Sequence, residues 1–134
     1  MSSTLVDSNV LIDLFDEASE WRDWSDAMLT QCASRGPLII NPIVYAEVSC
    51  GFTHIEDLDR ALPPDYFTRE PLPWPAGFLA ARAFLAYRRR GGSRPNPLPD
   101  FFIGAHAALA GYTLLTRDRR RYKTYFPKLR VIEP

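Results

Sequence analysis

The sequence predicts a doubly wound α/β domain on a parallel sheet, and three features carry that expectation. Short apolar runs without alternation recur along the chain: Leu5-Val6, Leu38-Ile39-Ile40, Leu114-Leu115 and Val131-Ile132. Such runs suit strands buried on both faces, as parallel strands are when crossover helices cover both sides of the sheet. Helical patterns lie between the runs, so strand and helix alternate. The length of 134 residues suits one domain with a real core, and residues 1–134 are assigned to a single domain.

From the N-terminus, Leu5-Val6 is the first strand, and Asp7 follows it just before the apolar-rich stretch Val10-Leu11-Ile12. Residues 20–34 form a helix that Gly36 stops. The second strand, Leu38-Ile39-Ile40, runs into Asn41-Pro42. There Asn can cap a new helix, and Pro suits the first helical position, where its missing N–H is no loss. A short helix over residues 55–62 breaks at Pro63-Pro64, and Tyr66-Phe67-Thr68 is a weaker strand candidate. Residues 76–90 form a helix ending at Gly91-Gly92, and Pro99 starts another that runs to residue 110, with Gly111 as terminator. The loop between them, with three prolines and two glycines over 91–99, sits directly before Asp100, where a substrate-facing loop is useful.

A hydrophobic content of 46% with 24% charged residues argues against disorder. No apolar run approaches a membrane span, and the N-terminus lacks a secretory signal, so a cytoplasmic protein is expected. Cys32 and Cys50 form no close metal-binding pair and are expected to be reduced, buried small residues. The net charge of zero hides an asymmetry. Residues 1–69 hold 12 acidic and 4 basic side chains, and residues 70–134 hold 4 acidic and 12 basic. An acidic site beside a basic field suits a metal-bound catalyst that attracts a polyanion; equally, the two halves pair across the fold.

Four acids interrupt segments that otherwise build the core: Asp7, Glu47, Asp100 and Asp118. Asp7 and Asp118 each lie just beyond a buried strand, where ligands of open parallel sheets bind. The ordinary explanation for both is a turn or helix cap, in the case of Asp118 for a short helix over 119–122. Glu47 is sharper. At about 100° per residue, Ile43, Val44 and Glu47 fall near 0°, 100° and 40°, which sets the carboxylate on the inward stripe. Asp100 opens Phe101-Phe102-Ile103-Gly104-Ala105-His106-Ala107-Ala108-Leu109, a helix apolar almost all round. A first-turn acid also gains from the helix dipole, so the two readings of Asp100 stay level. Gly104, one turn on, leaves room for another group to approach.

Electrostatics ties the four together. Two carboxylates about 5 Å apart repel by roughly 3 kcal/mol at an effective dielectric of about 20. Either some are protonated or a divalent cation neutralises them, and an oxygen-only donor set points to Mg²⁺ or Mn²⁺ rather than Zn²⁺. That constellation suggests a metal-dependent enzyme acting on phosphate esters. Asn9 and Thr116 are supporting candidates to orient a ligand or water, and loop hydrogen bonding explains them nearly as well. Arg117, and with it Arg119, are candidate phosphate contacts, whereas Arg88-Arg89-Arg90 and Arg119-Arg120-Arg121 read otherwise as solvated ends. Asp13 reads as an exposed helix residue, His54 as a loop residue, and Trp21 and Trp24 as packing residues. His106, about 240° around its helix from Asp100, is not expected to share its role.

With these residues assembled, the chain resembles a PIN-domain ribonuclease of the VapC toxin type. The segments that carry the resemblance are Leu5-Val6-Asp7-Ser8-Asn9-Val10-Leu11-Ile12, Glu47 in a helix opened by Asn41-Pro42, Leu98-Pro99-Asp100-Phe101-Phe102-Ile103-Gly104-Ala105-His106-Ala107, Leu114-Leu115-Thr116-Arg117-Asp118, and the closing Tyr122-Lys123-Thr124-Tyr125-Phe126-Pro127. The resemblance implies a three-layer α/β/α sandwich with a central parallel sheet, and Asp7, Glu47, Asp100 and Asp118 around Mg²⁺ or Mn²⁺. It also implies an endoribonuclease that cuts structured RNA such as tRNA or rRNA, a homodimer, and a VapB-type antitoxin that silences it. Two other classes are weighed against it. A phospho-accepting signalling domain lacks here the adjacent acid pair expected after its first strand. A non-catalytic RNA-binding or interaction module predicts binding without cleavage.

Overall fold

A computed structural model of the chain describes residues 2–134, with the Arg119 side chain outside the described residues. Strand β1 (Thr4–Val6) leads into helix α1 (Ser8–Phe15) and helix α2 (Arg22–Ala33), and β2 (Leu38–Ile40) into α3 (Pro42–Ser49) and α4 (Ile55–Ala61). The short strand β3 (Phe67–Arg69) is followed by the long helices α5 (Trp74–Arg89) and α6 (Leu98–Ala110). Strand β4 (Thr113–Leu115), helix α7 (Arg119–Tyr125) and β5 (Val131–Ile132) complete the order. The sheet runs β3-β2-β1-β4-β5 with every neighbouring pair parallel. The order reverses at β1, so the domain is doubly wound and its helices cover both faces as a three-layer α/β/α sandwich.

The strands with unalternated apolar runs occupy the middle. All of β1 and β2 is buried, as are Leu114 and Leu115 of β4, whereas Thr68, Arg69, Val131 and Ile132 on the edge strands are not. Helix α6 buries Phe101, Ile103, Gly104, Ala105, His106 and Ala107, as its composition predicts, whereas Ala108, Leu109 and Ala110 in its last turn are exposed. It ends at Gly111, whose φ of 73° lies in the left-handed region that glycine adopts without strain. Asn41 caps α3 by accepting the Val44 N–H at 3.0 Å, with Pro42 in the first turn. The helices predicted from residues 76 and 99 start slightly earlier, at Trp74 and Leu98, each with a proline in the first turn.

Two expectations need correction. Asp13 is 3% exposed rather than a surface residue. It accepts hydrogen bonds from Ser19 and Ser25, at 2.9 and 2.8 Å, which compensate its desolvation. Cys32 is buried as expected but Cys50 is exposed, because it lies at the C-terminal cap of α3 rather than on its inner face.

Candidate metal centre

The reversal of strand order opens a crevice at the carboxyl ends of β1 and β4. Asp7 leaves β1 there in an extended conformation (φ −70°, ψ 149°), still tied to the sheet by its N–H to the Leu115 carbonyl at 2.9 Å. Its Oδ1 accepts the Ser8 N–H at 2.8 Å, which is the cap expected of it. Only one oxygen is used that way. Its Oδ2 accepts the Thr116 hydroxyl at 2.7 Å and the Tyr122 hydroxyl at 2.9 Å, with the Asn9 amide at 3.4 Å. Burial pushes the Asp7 carboxyl above its ordinary value, and the hydroxyl and amide donors offset that push only in part. The Tyr122 phenol is driven well above the usual tyrosine range by burial and by Asp7, so it stays protonated and donates.

Helix α3 brings Glu47 to the same point. The Asn41 cap fixes the helix phase, Val44 and Val48 enter the core, and Glu47 points toward Asp7 between them. The Ser8 hydroxyl donates to Glu47 Oε1 at 2.8 Å. Partial burial raises the Glu47 carboxyl, the Ser8 bond lowers it, and the charge of Asp7 raises it again. Glu47 also borders a cavity of about 350 Å³ lined by Ile12, Phe15, Val48 and Phe52. Asp100 arrives from the first turn of α6, with its side chain 19% exposed. Arg121 Nη1 contacts Asp100 Oδ2, and Arg94 Nη1 lies 3.8 Å from the same atom.

Asp7, Glu47 and Asp100 each present a carboxylate oxygen within 4.8 Å of the other two. At that separation each ionised pair costs roughly 3 kcal/mol at an effective dielectric of about 20. Asp118 stands apart from this mutual trio, 44% exposed at the rim. It follows the trio's network rather than joining it: its N–H donates to Thr116 Oγ1 at 3.0 Å, and its Oδ2 lies 3.5 Å from Arg121 Nη2. Its charge still reaches the site, for it raises both Asp7 and Tyr122. No side-chain cap is formed by Asp118, so the ordinary explanation for that residue is not realised.

Asn9 and Thr116 join the loops after β1 and β4. Thr116 is fully buried, and the Asn9 amide lies 3.3 Å from its hydroxyl while Asn9 Oδ1 accepts the Arg117 N–H at 3.2 Å. Arg117 is turned away from the acids: its Nε lies 2.6 Å from Asp13 Oδ2, an ion contact without hydrogen-bond alignment, and its guanidinium sits over the Trp21 ring. Arg119, the other candidate phosphate contact, has its side chain outside the described residues. The solvated reading of 119–121 fails at Arg121, which is 15% exposed and faces Asp100 and Asp118. One helical turn separates Asp118 from Arg121, and that spacing is the signal that could have found it. Ser8 and Tyr122 were also missed as site residues. Ser8 adjoins Asp7, but a lone serine carries no signal, and nothing local joins Tyr122 to a residue 115 positions away.

The donor set fits a hard dication. It is all carboxylate, and among the described residues Asp7 Oδ1 accepts a single hydrogen bond and Glu47 Oε2 and Asp100 Oδ1 accept none, so each acid keeps lone pairs.

The PIN domain family model matches residues 4–127. Among solved structures, the chain superposes on VapBC2 from Rickettsia felis, bound to a DNA fragment from its promoter, with a TM-score of 0.75 at 18% identity over 98% of each chain. A toxin–antitoxin complex from Klebsiella pneumoniae gives 0.62 at 25% identity, over 98% of this chain and 97% of that one. VapC20 from Mycobacterium tuberculosis, a toxin that cleaves the sarcin–ricin loop, gives 0.65 at 13% identity, over 98% and 99%. A comparison with curated proteins returned no match. With a family match across nearly its whole length and the sheet order and crevice described above, the chain belongs to the PIN-domain family.

Proposed function

We propose that this protein is a Mg²⁺- or Mn²⁺-dependent endoribonuclease of the VapC toxin type that hydrolyses phosphodiester bonds in structured RNA such as tRNA or rRNA. The observation that carries the reading is the convergence of Asp7, Glu47 and Asp100 oxygens within 4.8 Å at the carboxyl-end crevice of a PIN sheet. Asp7, Glu47 and Asp100 would hold the ion directly and Asp118 through water from the rim. A dication bound there supplies water activation and offsets charge growing on the phosphoryl oxygens.

The chain's own groups supply the rest. Tyr122 and Thr116 fix Asp7 in one rotamer through Oδ2, so the carboxylate meets its ligand preorganised. Glu47 keeps an oxygen free of Ser8 and has a raised proton affinity, which suits it to accept the proton of the attacking water. Basic side chains of the C-terminal half bind the RNA backbone, so affinity falls steeply with salt. Solved relatives are toxin–antitoxin complexes, and by extension a VapB-type antitoxin covers this site and the toxin pairs as a homodimer in the cytoplasm. No helix among the described residues is long and apolar enough to cross a membrane.

The test is incubation of the purified protein with total RNA in Mg²⁺, Mn²⁺ or chelator. Discrete fragments that require the metal and vanish in Asp7→Ala are expected. Intact RNA under every condition, or full activity in Asp7→Ala, overturns the assignment.

A further inference from the structure

Arg121 sits where a dication would have to share one carboxylate, that of Asp100, with a resident guanidinium. Its side chain is 15% exposed; Nη1 contacts Asp100 Oδ2, which Arg94 Nη1 also approaches at 3.8 Å, while Nη2 lies 3.5 Å from Oδ2 of Asp118, the residue that precedes the helix. Asp100 is also one of the three acids whose oxygens converge within 4.8 Å. A planar guanidinium with its fork of donors can reach both carboxylates at once, and it carries its charge at every accessible pH. A dication near Asp100 therefore meets a permanent positive charge a few ångströms away.

We propose that Arg121 is a resident counter-charge with two seats, Asp100 and Asp118, and that it competes with the dication for Asp100 and so sets how tightly the site binds its ion. Asp118 is then a positioning residue that acts through Arg121: it offers the guanidinium its second seat at the rim, where the side chain also faces incoming phosphate. The proposal rests on the reading that Asp7, Glu47 and Asp100 hold a dication. It replaces a ligand role for Asp118, direct or through water, and differs from either in what it predicts for the double variant.

Mn²⁺ binding to the purified protein, measured by calorimetry and by the loss of free-ion electron paramagnetic resonance signal, tests it without reference to cleavage. Removing a unit charge at this distance should tighten Mn²⁺ about tenfold in Arg121→Gln. Arg121→Lys keeps the charge but not the fork, so it should fall between wild type and Arg121→Gln. Asp118→Asn should weaken binding in the wild-type background and change it less than about twofold in Arg121→Gln, a non-additivity that marks two residues acting as a unit. Should Arg121→Gln fold poorly in a thermal melt, Arg121→Met keeps most of the aliphatic stem and carries the same expectation. Unchanged or weaker binding in folded Arg121→Gln or Arg121→Met overturns the proposal, as does an undiminished Asp118→Asn effect in the Arg121→Gln background. If neither wild type nor Arg121→Gln binds Mn²⁺, the metal reading itself fails, and this proposal with it.

Discussion

Two polar clusters lie partly buried in this fold, and they are opposites. One is Asp7, Glu47 and Asp100; the other is Asn41, His106, Glu70 and Tyr112. In the second, Asn41 Oδ1 accepts the Val44 N–H, so its amide nitrogen donates to His106 Nδ1 at 3.1 Å. The His106 proton is thereby assigned to Nε2, which faces Glu70 Oε1 at 3.4 Å. The Tyr112 hydroxyl lies 2.9 and 2.7 Å from the two Glu70 oxygens, and its phenol is pushed up to about 12, first by burial and then by Glu70. One acid there has its donors, and the group is complete. The first cluster gathers three acids, with hydroxyl donors to Asp7 and Glu47 and one close guanidinium, Arg121, at Asp100, so negative charge remains in excess. Burial of polar groups therefore does not mark a site in this protein; surplus charge of one sign does.

The largest expected effect follows from that contrast. Asp7→Ala or Asp100→Ala should lower metal-dependent RNA cleavage by about a hundredfold or more, as loss of a group stabilising developing charge does. Glu70→Gln should leave the cleavage rate within about twofold. Rates measured on one RNA at fixed Mg²⁺ break the comparison if Glu70→Gln is the more damaging. Gly104 comes next. A Cβ at that position would meet the Phe126 ring at 2.5 Å and the Tyr122 ring at 3.1 Å. Gly104→Ala should therefore force α6 from α7, cost about 1–3 kcal/mol in urea denaturation, and carry Tyr122 away from Asp7. Tyr122→Phe removes a single donor to Asp7 Oδ2 and should reduce Mn²⁺ affinity or cleavage about tenfold, with little change in the fold. Equal ion affinity in Tyr122→Phe would mean that the hydroxyl serves packing alone.

The parts of this site legible in the sequence are those that break a local pattern. Asp7 ends an apolar run, Glu47 occupies an inward helical position, Asp100 opens a buried helix, and Gly111 stops it. Each departs from what its own neighbours demand, and a departure can be seen without coordinates. The space reserved by Gly104 was visible too, but not that the rings of Tyr122 and Phe126 fill it. Ser8, Tyr122 and Arg121 obey their local patterns and gain meaning only from distant partners. Asp13 shows the same limit in reverse: its helix position looks solvent-facing until Ser25 and Arg117 close over it. Placement at a strand tip was likewise too coarse to separate Asp118 from Asp7. Tertiary geometry puts one at the centre of the acids and the other on the rim.

The smallest effect should be the pH dependence of stability, where the clusters pull in opposite directions. Burial lowers His106 below the ordinary imidazole value of 6.5, against the pull of Glu70. Between that value and its folded one, the unfolded chain binds a proton that the folded chain refuses, so stability is lost as pH falls through this window. Burial raises Asp7 and Glu47 above the ordinary carboxyl values of 3.8 and 4.5. Between those values and the folded ones, the folded chain keeps protons that the unfolded chain has released, so their contribution is lost as pH rises. In chelated protein the two slopes oppose each other, and two controls separate them. Mn²⁺ bound at the site would hold the acids ionised in the folded state, so it should remove the acid-cluster slope while leaving the His106 slope. His106→Gln should remove the loss on the acidic side and leave the response to Mn²⁺ intact. Urea midpoints from about pH 4 to about pH 8 give both slopes. If Mn²⁺ leaves the chelated profile unaltered, ionising Asp7 and Glu47 costs the fold nothing, and the contrast between the clusters disappears.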